Sequence, residues 1–369
     1  MDGGAENAFW LRELETLFDG FADWLRGQYD PKSGGFFYAR SSKASGRFSP
    51  DIESTAQAIH ILDRVGALDG QSDLVKERFV CFFQKRQDPE TGCFYDADPR
   101  MRKDEVMVAR ALGYATGVLT RLGAGWPYPS PNPRRGAPAW MRSPEAFGRW
   151  VRDVDLSHSW RGCDRLSCSA VYLAALAPQE RAPYLEAMFA YLERVQDAAT
   201  GFWGGGSGYV RVSGAFKLHT FYARFGEPVP RAARLLDSVV DVVRDEAATD
   251  MCYVRNAVHL VASLGPTVRP GRTADVGELI AKTVRHLRAF KRDDGGFSRE
   301  MHRSVPAPNV AQVKEGETYP DMPEPVVLGE GAAEGDMNAG TQAVLVRRLC
   351  YRLAGVPEPP LPGDWQLEE

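Results

Sequence analysis

The chain has no excess of basic residues: 45 Lys and Arg stand against 49 Asp and Glu, for a formal net charge of -4. A nucleic-acid partner needs a cationic surface that neutralises phosphates, so that class is excluded. The short Arg134-Arg135 pair in a Pro-rich stretch does not restore it. Long apolar runs are also absent. No segment approaches the ~18 uninterrupted apolar residues of a spanning helix, so no membrane span is expected. The six cysteines, at 81, 93, 163, 168, 252 and 350, form no Cys-x-x-Cys pair. They read as reduced thiols rather than a disulfide framework, the pattern of a cytoplasmic protein. The opening residues Met1-Asp2-Gly3-Gly4-Ala5-Glu6 lack the basic and apolar regions of a secretory signal, which fits the same expectation. Gly204-Gly205-Gly206-Ser207-Gly208 lacks the Lys-Ser/Thr of a phosphate loop and reads instead as a close backbone approach.

What is present is a globular composition, 44% hydrophobic and 25% charged over 369 residues. That length allows two domains, but closed barrels of this size fold as one unit, so a single domain over 1–369 is expected. Four segments share one pattern: 29–36 (YDPKSGGF), 87–94 (QDPETGCF), 196–203 (QDAATGFW) and 292–297 (RDDGGF). Each follows a stretch with apolar residues at helical spacing, breaks with Asp, Pro or Gly, and finishes on an aromatic residue. Asp-Pro makes a turn, Gly ends the helix, and the aromatic packs back on it. The intervals between segments are about one, two and two multiples of a period near 50 residues, so two degenerate copies are expected between them.

A second helix is expected after each break, over 54–65, 106–122, 167–176, 214–225, 252–264 and 341–353. These are rich in small residues, as in Ser54-Thr55-Ala56-Gln57-Ala58, which lets helices approach closely. They alternate with helices expected near 8–26, 71–86, 144–154, 181–196, 230–245 and 275–291. The resulting expectation is an all-α chain forming an (α/α)6 toroid of about six helix pairs, the small-residue set inside. The stretch 298–335 reads as a long loop, a candidate lid over the cavity.

The Gly-aromatic endings resemble degenerate versions of the repeat in the terpenoid cyclase and protein prenyltransferase β-subunit superfamily. That resemblance implies a cavity site at the N-terminal ends of the inner helices. Those ends carry Asp51 and Glu53, Asp104 and Glu105, Asp164 and Arg165, Asp250 and Cys252, and Asp336 and Asn338. An Asp at a helix start caps free N–H groups whether or not it has another role. Prenyltransferase β-subunits hold zinc through an Asp-x-Cys-Tyr segment and a later His. Here Asp250-Met251-Cys252-Tyr253 has the first part, but Asp336-Met337-Asn338 has no histidine, so no metal is expected. Proton-initiated cyclases use Asp-x-Asp-Asp; the nearest string, Asp153-Val154-Asp155-Leu156, lacks the last acid.

The densest polar stretch, 153–165, lacks helical periodicity and reads as a rim loop. The residues proposed for acid–base work are Asp155, His158, Asp164, Asp250 and Asp336. Those proposed to contact substrate are Asp51, Trp160, Arg161, Arg165, Lys217, His219, Arg255 and Asn338, the arginines as bidentate holders of a carboxylate or phosphate. No cofactor is implied. The substrate is expected to be a small molecule, an isoprenoid by resemblance, with a glycan as the alternative since related toroids serve lyases and glycoside hydrolases. A ring that has lost its chemistry and serves as a binding scaffold is the third reading.

Overall fold

A computed structural model describes residues 3–133, 135–268, 274–310 and 316–369. The chain is mostly helical and of the all-α class. In order it forms α1 (Gly3–Thr16), α2 (Phe21–Gly27), β1 (Tyr29–Asp30), β2 (Gly35–Phe36), α3 (Arg40–Ala44), α4 (Ile52–Arg64), α5 (Asp73–Gln84), α6 (Glu105–Arg121), α7 (Pro144–Asp153), α8 (Ser159–Cys168), α9 (Ala170–Ala174), α10 (Pro178–Val195), α11 (Gly208–Phe225), α12 (Ala232–Asp245), α13 (Met251–Val268), α14 (Ala274–Phe290) and α15 (Met337–Ala354). Among the described residues no helix is long and apolar enough to cross a membrane.

The four repeated segments close as small hairpins, which accounts for their composition. Tyr29 pairs with Phe36 across β1 and β2, and the same antiparallel pairing joins Gln87 to Phe94, Gln196 to Trp203 and Lys291 to Phe297. The Asp of each segment organises the turn. Asp88 Oδ1 accepts from the Glu90 and Thr91 amides at 2.9 and 2.8 Å, and Asp197 Oδ1 from Ala199 and Thr200 at 2.8 Å each. Gly92 then enters the left-handed region at φ +76°, where a Cβ would lie 2.1 Å from the Pro129 carbonyl oxygen; only glycine fits. The closing aromatics Phe36, Phe94, Trp203 and Phe297 are all fully buried. Each contributes roughly 2–3 kcal/mol of apolar burial. Trp203 also donates from Nε1 to the Leu192 carbonyl at 2.9 Å, which ties it back to the helix it follows.

The described residues fall into two compact units. The first comprises 1–79, 239–308 and 327–369. There α15 packs between α13 and α4, and α14 packs on α1 and α13. Small residues permit the approach: a Cβ on Gly340 of α15 would sit 2.7 Å from the buried Trp24 ring. Phe21 stacks on Trp24 and meets Phe297 edge-on, so this core is aromatic at its centre.

The second unit comprises 80–238 and 309–326. There α8 packs against α6 and α11, and α10 packs against α7. The α8–α11 contact depends on Gly214, where a Cβ would meet Ser159 Oγ at 2.1 Å. The triple glycine behaves as its sequence suggests. The Gly205 amide donates to the Leu156 carbonyl, and the Gly205 carbonyl accepts from Ser159, each at 2.9 Å. This seats the start of α8 against the strand of chain that leads into α11.

Two expected elements differ from those observed. The helix expected over 8–26 is broken at 17–20 into α1 and α2, with Gly20 at φ +75°. The stretch 153–165 is not a loop throughout: from Ser159 it is α8, and the helix expected to begin at 167 starts eight residues earlier. Trp160, Cys163 and Leu166 are its buried apolar positions, interspersed with Arg161 and Asp164, whose partners are distant in sequence; Asp164 and Arg165 thus lie within the helix and not at its start as expected. Between 298 and 335 the described residues form no helix, and 311–315 lie outside the described residues.

Candidate functional site

Helix starts organise the polar side chains of both units. In the first unit Asp51 caps α4 through the Ser54 amide at 2.8 Å, and Asp336 caps α15 through Ala339 at 2.8 Å. Asp250 holds the Cys252 amide at 2.7 Å at the start of α13. Capping is what the residue type provides at such positions. Arg299 links two of them. Its Nε donates to Asp250 at 3.1 Å, its backbone N–H to Asp336 at 2.6 Å, and its Nη1 to the Pro308 carbonyl at 2.7 Å. Asp250 and Asp336 are fully buried. Burial pushes the Asp336 carboxyl up to about 7, against the pull of its amide donors and the Arg299 guanidinium.

Beyond these caps runs a ladder of polar side chains on α4, α15 and α13. Gln57 donates to Glu53 at 3.0 Å and Asn338 to the same oxygen at 3.5 Å. Gln342 donates to Asn338 Oδ1 at 2.7 Å and to the Cys252 sulfur at 3.4 Å, while accepting from Arg255 Nε at 3.3 Å. Glu53, Arg255 and Asn338 are half-exposed. Burial pushes the Cys252 thiol up to about 11. Among the described residues no three His, Cys, Asp or Glu side chains gather as a metal site.

The second unit holds a denser cluster. Asp104 caps α6 through the Val106 amide at 3.0 Å and faces both terminal nitrogens of Arg161 at 3.5 Å. Asn309 donates to its other oxygen at 3.3 Å. Asp164, on α8, is flanked by two cations: Lys217 of α11 at 2.9 Å and Arg110 of α6. Burial raises its carboxyl, but Arg110 and Lys217 outweigh burial and hold it down at about 2. It is therefore an anion at neutral pH and serves to position both cations. Arg165, one residue on, pairs with Glu105 through Nε and with Asp321 through Nη1. Glu105 also accepts from the Trp140 indole at 3.3 Å.

His158 caps α8: its Nδ1 accepts from the Arg161 amide at 3.2 Å, which places the ring proton on Nε2. Burial, with Arg161 adding to it, lowers its pKa, so the ring is neutral and offers a donor. It stacks on Tyr319, centroids 4.5 Å apart. Tyr319 and Asp321 bring the 316–326 segment onto the start of α8.

The sequence candidates thus separate. His158, Arg161, Asp164, Arg165 and Lys217 converge in the second unit; Asp250 and Asp336 share Arg299 in the first, with Arg255 and Asn338 on the nearby ladder. Asp155 is exposed and accepts from the Ser157 amide at 2.6 Å. Trp160 is buried, and His219 is buried with its pKa lowered by that burial. Sequence reasoning missed Arg110, Arg299, Asn309, Tyr319, Asp321 and the Gln57–Gln342 amides. No motif carries them. No family model matches the chain, and comparison with curated proteins finds no match either, so the site is read from its own chemistry.

Proposed function

We propose that this chain binds a small, hydroxyl-rich ligand bearing a carboxylate, of the acidic-carbohydrate class, on α6 and α8 and the facing α11. The reading takes the helix pairs as a closed (α/α)6 ring of the terpenoid-cyclase type, whose inner helices present ligand-binding residues at their N-terminal ends. The observation that carries it is the nature of the partly buried polar side chains there: Glu105, Arg110, His158, Arg165 and Lys217. Arg165, backed by Glu105, presents its guanidinium toward a carboxylate, now that of Asp321, and His158 offers its Nε2–H to a hydroxyl, while Arg110 and Lys217 hold Asp164 beside them. The Glu53–Asn338–Gln342 ladder of the first unit has the same character. An isoprenoid chain laid against such groups would strip them of water without replacing their hydrogen bonds, at about 1–3 kcal/mol for each group left unsatisfied.

The reading is one of binding. Asp164 is held ionised by two cations, and His158 uses Nδ1 to cap α8, so neither stands ready to take up or release a proton at neutral pH. Calorimetric titration with oligogalacturonate, a neutral oligosaccharide and an isoprenoid diphosphate tests it. The acidic oligosaccharide is expected to bind, the neutral one weakly, and the Arg165→Ala variant to lose the difference. Saturable binding of the isoprenoid diphosphate with none of either sugar would sink it.

A further inference from the structure

We infer that Arg165 and Arg161 form an oxyanion subsite whose occupant in this structure is the chain's own Asp321. The inference rests on the binding reading above for its natural ligand, but not for the subsite itself. Three observations place Asp321 there. Its carboxylate pairs with Arg165 Nη1, and its backbone carbonyl accepts from Arg161 Nε at 3.0 Å, so one residue engages both guanidinium groups. Its backbone is in the left-handed region at φ +55°, a conformation that L-residues adopt rarely and Asp and Asn tolerate best. Its anchor is aromatic: Tyr319, two residues before it, is buried in a stack with His158.

Exposure distinguishes this contact from the rest of the cluster. The Asp321 side chain is 47% exposed, whereas that of its partner Arg165 is 19% exposed. Arg165 is fixed from behind by Glu105, and Glu105 by Trp140, so the guanidinium keeps its place when Asp321 leaves. Asp164 beside it is committed to Arg110 and Lys217. Asp321 is accordingly the exchangeable anion of the set. A ligand carboxylate has the charge and planar oxygens of Asp321, a phosphate carries at least that charge on tetrahedral oxygens, and either would bind by displacing Asp321 from Arg165. The contact then sets affinity, because each ligand anion competes with a tethered one at high effective concentration.

The test uses the full chain and two probes, inorganic phosphate and galacturonate, titrated calorimetrically at low ionic strength. Asp321→Asn keeps the left-handed backbone and removes the charge. It is expected to bind both probes at least tenfold more tightly than the unaltered chain. Asp321→Asn combined with Arg165→Met is expected to lose that gain. Circular dichroism and the unfolding midpoint report folding of each variant. Asp321→Gly, which needs no tolerance of positive φ, serves if the Asn variant is unstable. Unchanged affinity for both probes in a folded Asp321 variant overturns the inference. Tighter phosphate binding without any sugar binding upholds the subsite and removes the carbohydrate reading. Sugar binding that is identical with and without Asp321 does the reverse.

Discussion

Arg299 gives the sharpest test of how the first unit is held together. Its side chain is 3% exposed and its partner Asp250 is fully buried. Replacement with Met keeps most of the volume but removes the hydrogen bonds to Asp250 and to the Pro308 carbonyl. The backbone N–H that serves Asp336 is retained, so the effect is confined to the side chain. Asp250 then keeps only the Cys252 amide among these partners. Breaking a buried pair by removing one partner costs about 3–5 kcal/mol, because the stranded charge is worse than none. Against a total stability of about 5–15 kcal/mol, that is a large share. Urea denaturation followed by circular dichroism measures it. Adding Asp250→Asn to Arg299→Met removes the stranded charge and is expected to restore about half of the loss. A loss below about 1 kcal/mol, or a double variant no more stable than the single one, would refute the buried-pair account.

Other consequences follow from the same contacts. Gln196 donates to the Gly201 and Pro230 carbonyls at 2.8 and 2.7 Å, so Gln196→Ala strands two acceptors and lowers stability by about 2–3 kcal/mol in thermal or urea unfolding; Asp197→Ala, at an exposed turn, costs only about 1 kcal/mol. The Asp164 carboxyl lies at about 2 in the folded chain against an ordinary 3.8. Its depressed value means its contribution, about 2 kcal/mol, is complete above pH 4 and is lost as pH falls through 2. Acid titration of stability should therefore flatten between pH 4 and 2 in Asp164→Asn, and an unchanged slope would contradict the Arg110–Lys217 clamp. Cys81 is exposed and Cys93, Cys163, Cys252 and Cys350 are buried. A thiol reagent should label Cys81 rapidly in the folded chain and those four only on unfolding.

How much of this was legible beforehand depends on how local each cause is. The hairpin segments were, because Asp, Gly and a closing aromatic act within eight residues of one another. The caps Asp51, Asp104, Asp250 and Asp336 were legible for the same reason. The start of α8 was not. Its buried residues mix Trp160, Cys163 and Leu166 with Arg161 and Asp164, whose partners Asp104, Arg110 and Lys217 lie some fifty residues away, so charged positions break up the apolar pattern there. Arg299 was invisible too: it sits just after the fourth hairpin, and its importance comes entirely from the two caps that fold onto it. The residues 153–165 were singled out by polar density alone. That signal found the right place and misjudged its structure.

The central claim is that Arg165 and its neighbours on α6, α8 and α11 hold a carboxylate-bearing ligand. A two-dimensional NMR titration of arginine side-chain N–H groups with oligogalacturonate reports on it directly. The account predicts saturable shifts at Arg165 and Arg161 that disappear in Arg165→Ala and shrink as salt is added. Saturable binding that leaves both arginine signals unmoved, or that survives Arg165→Ala intact, would contradict it.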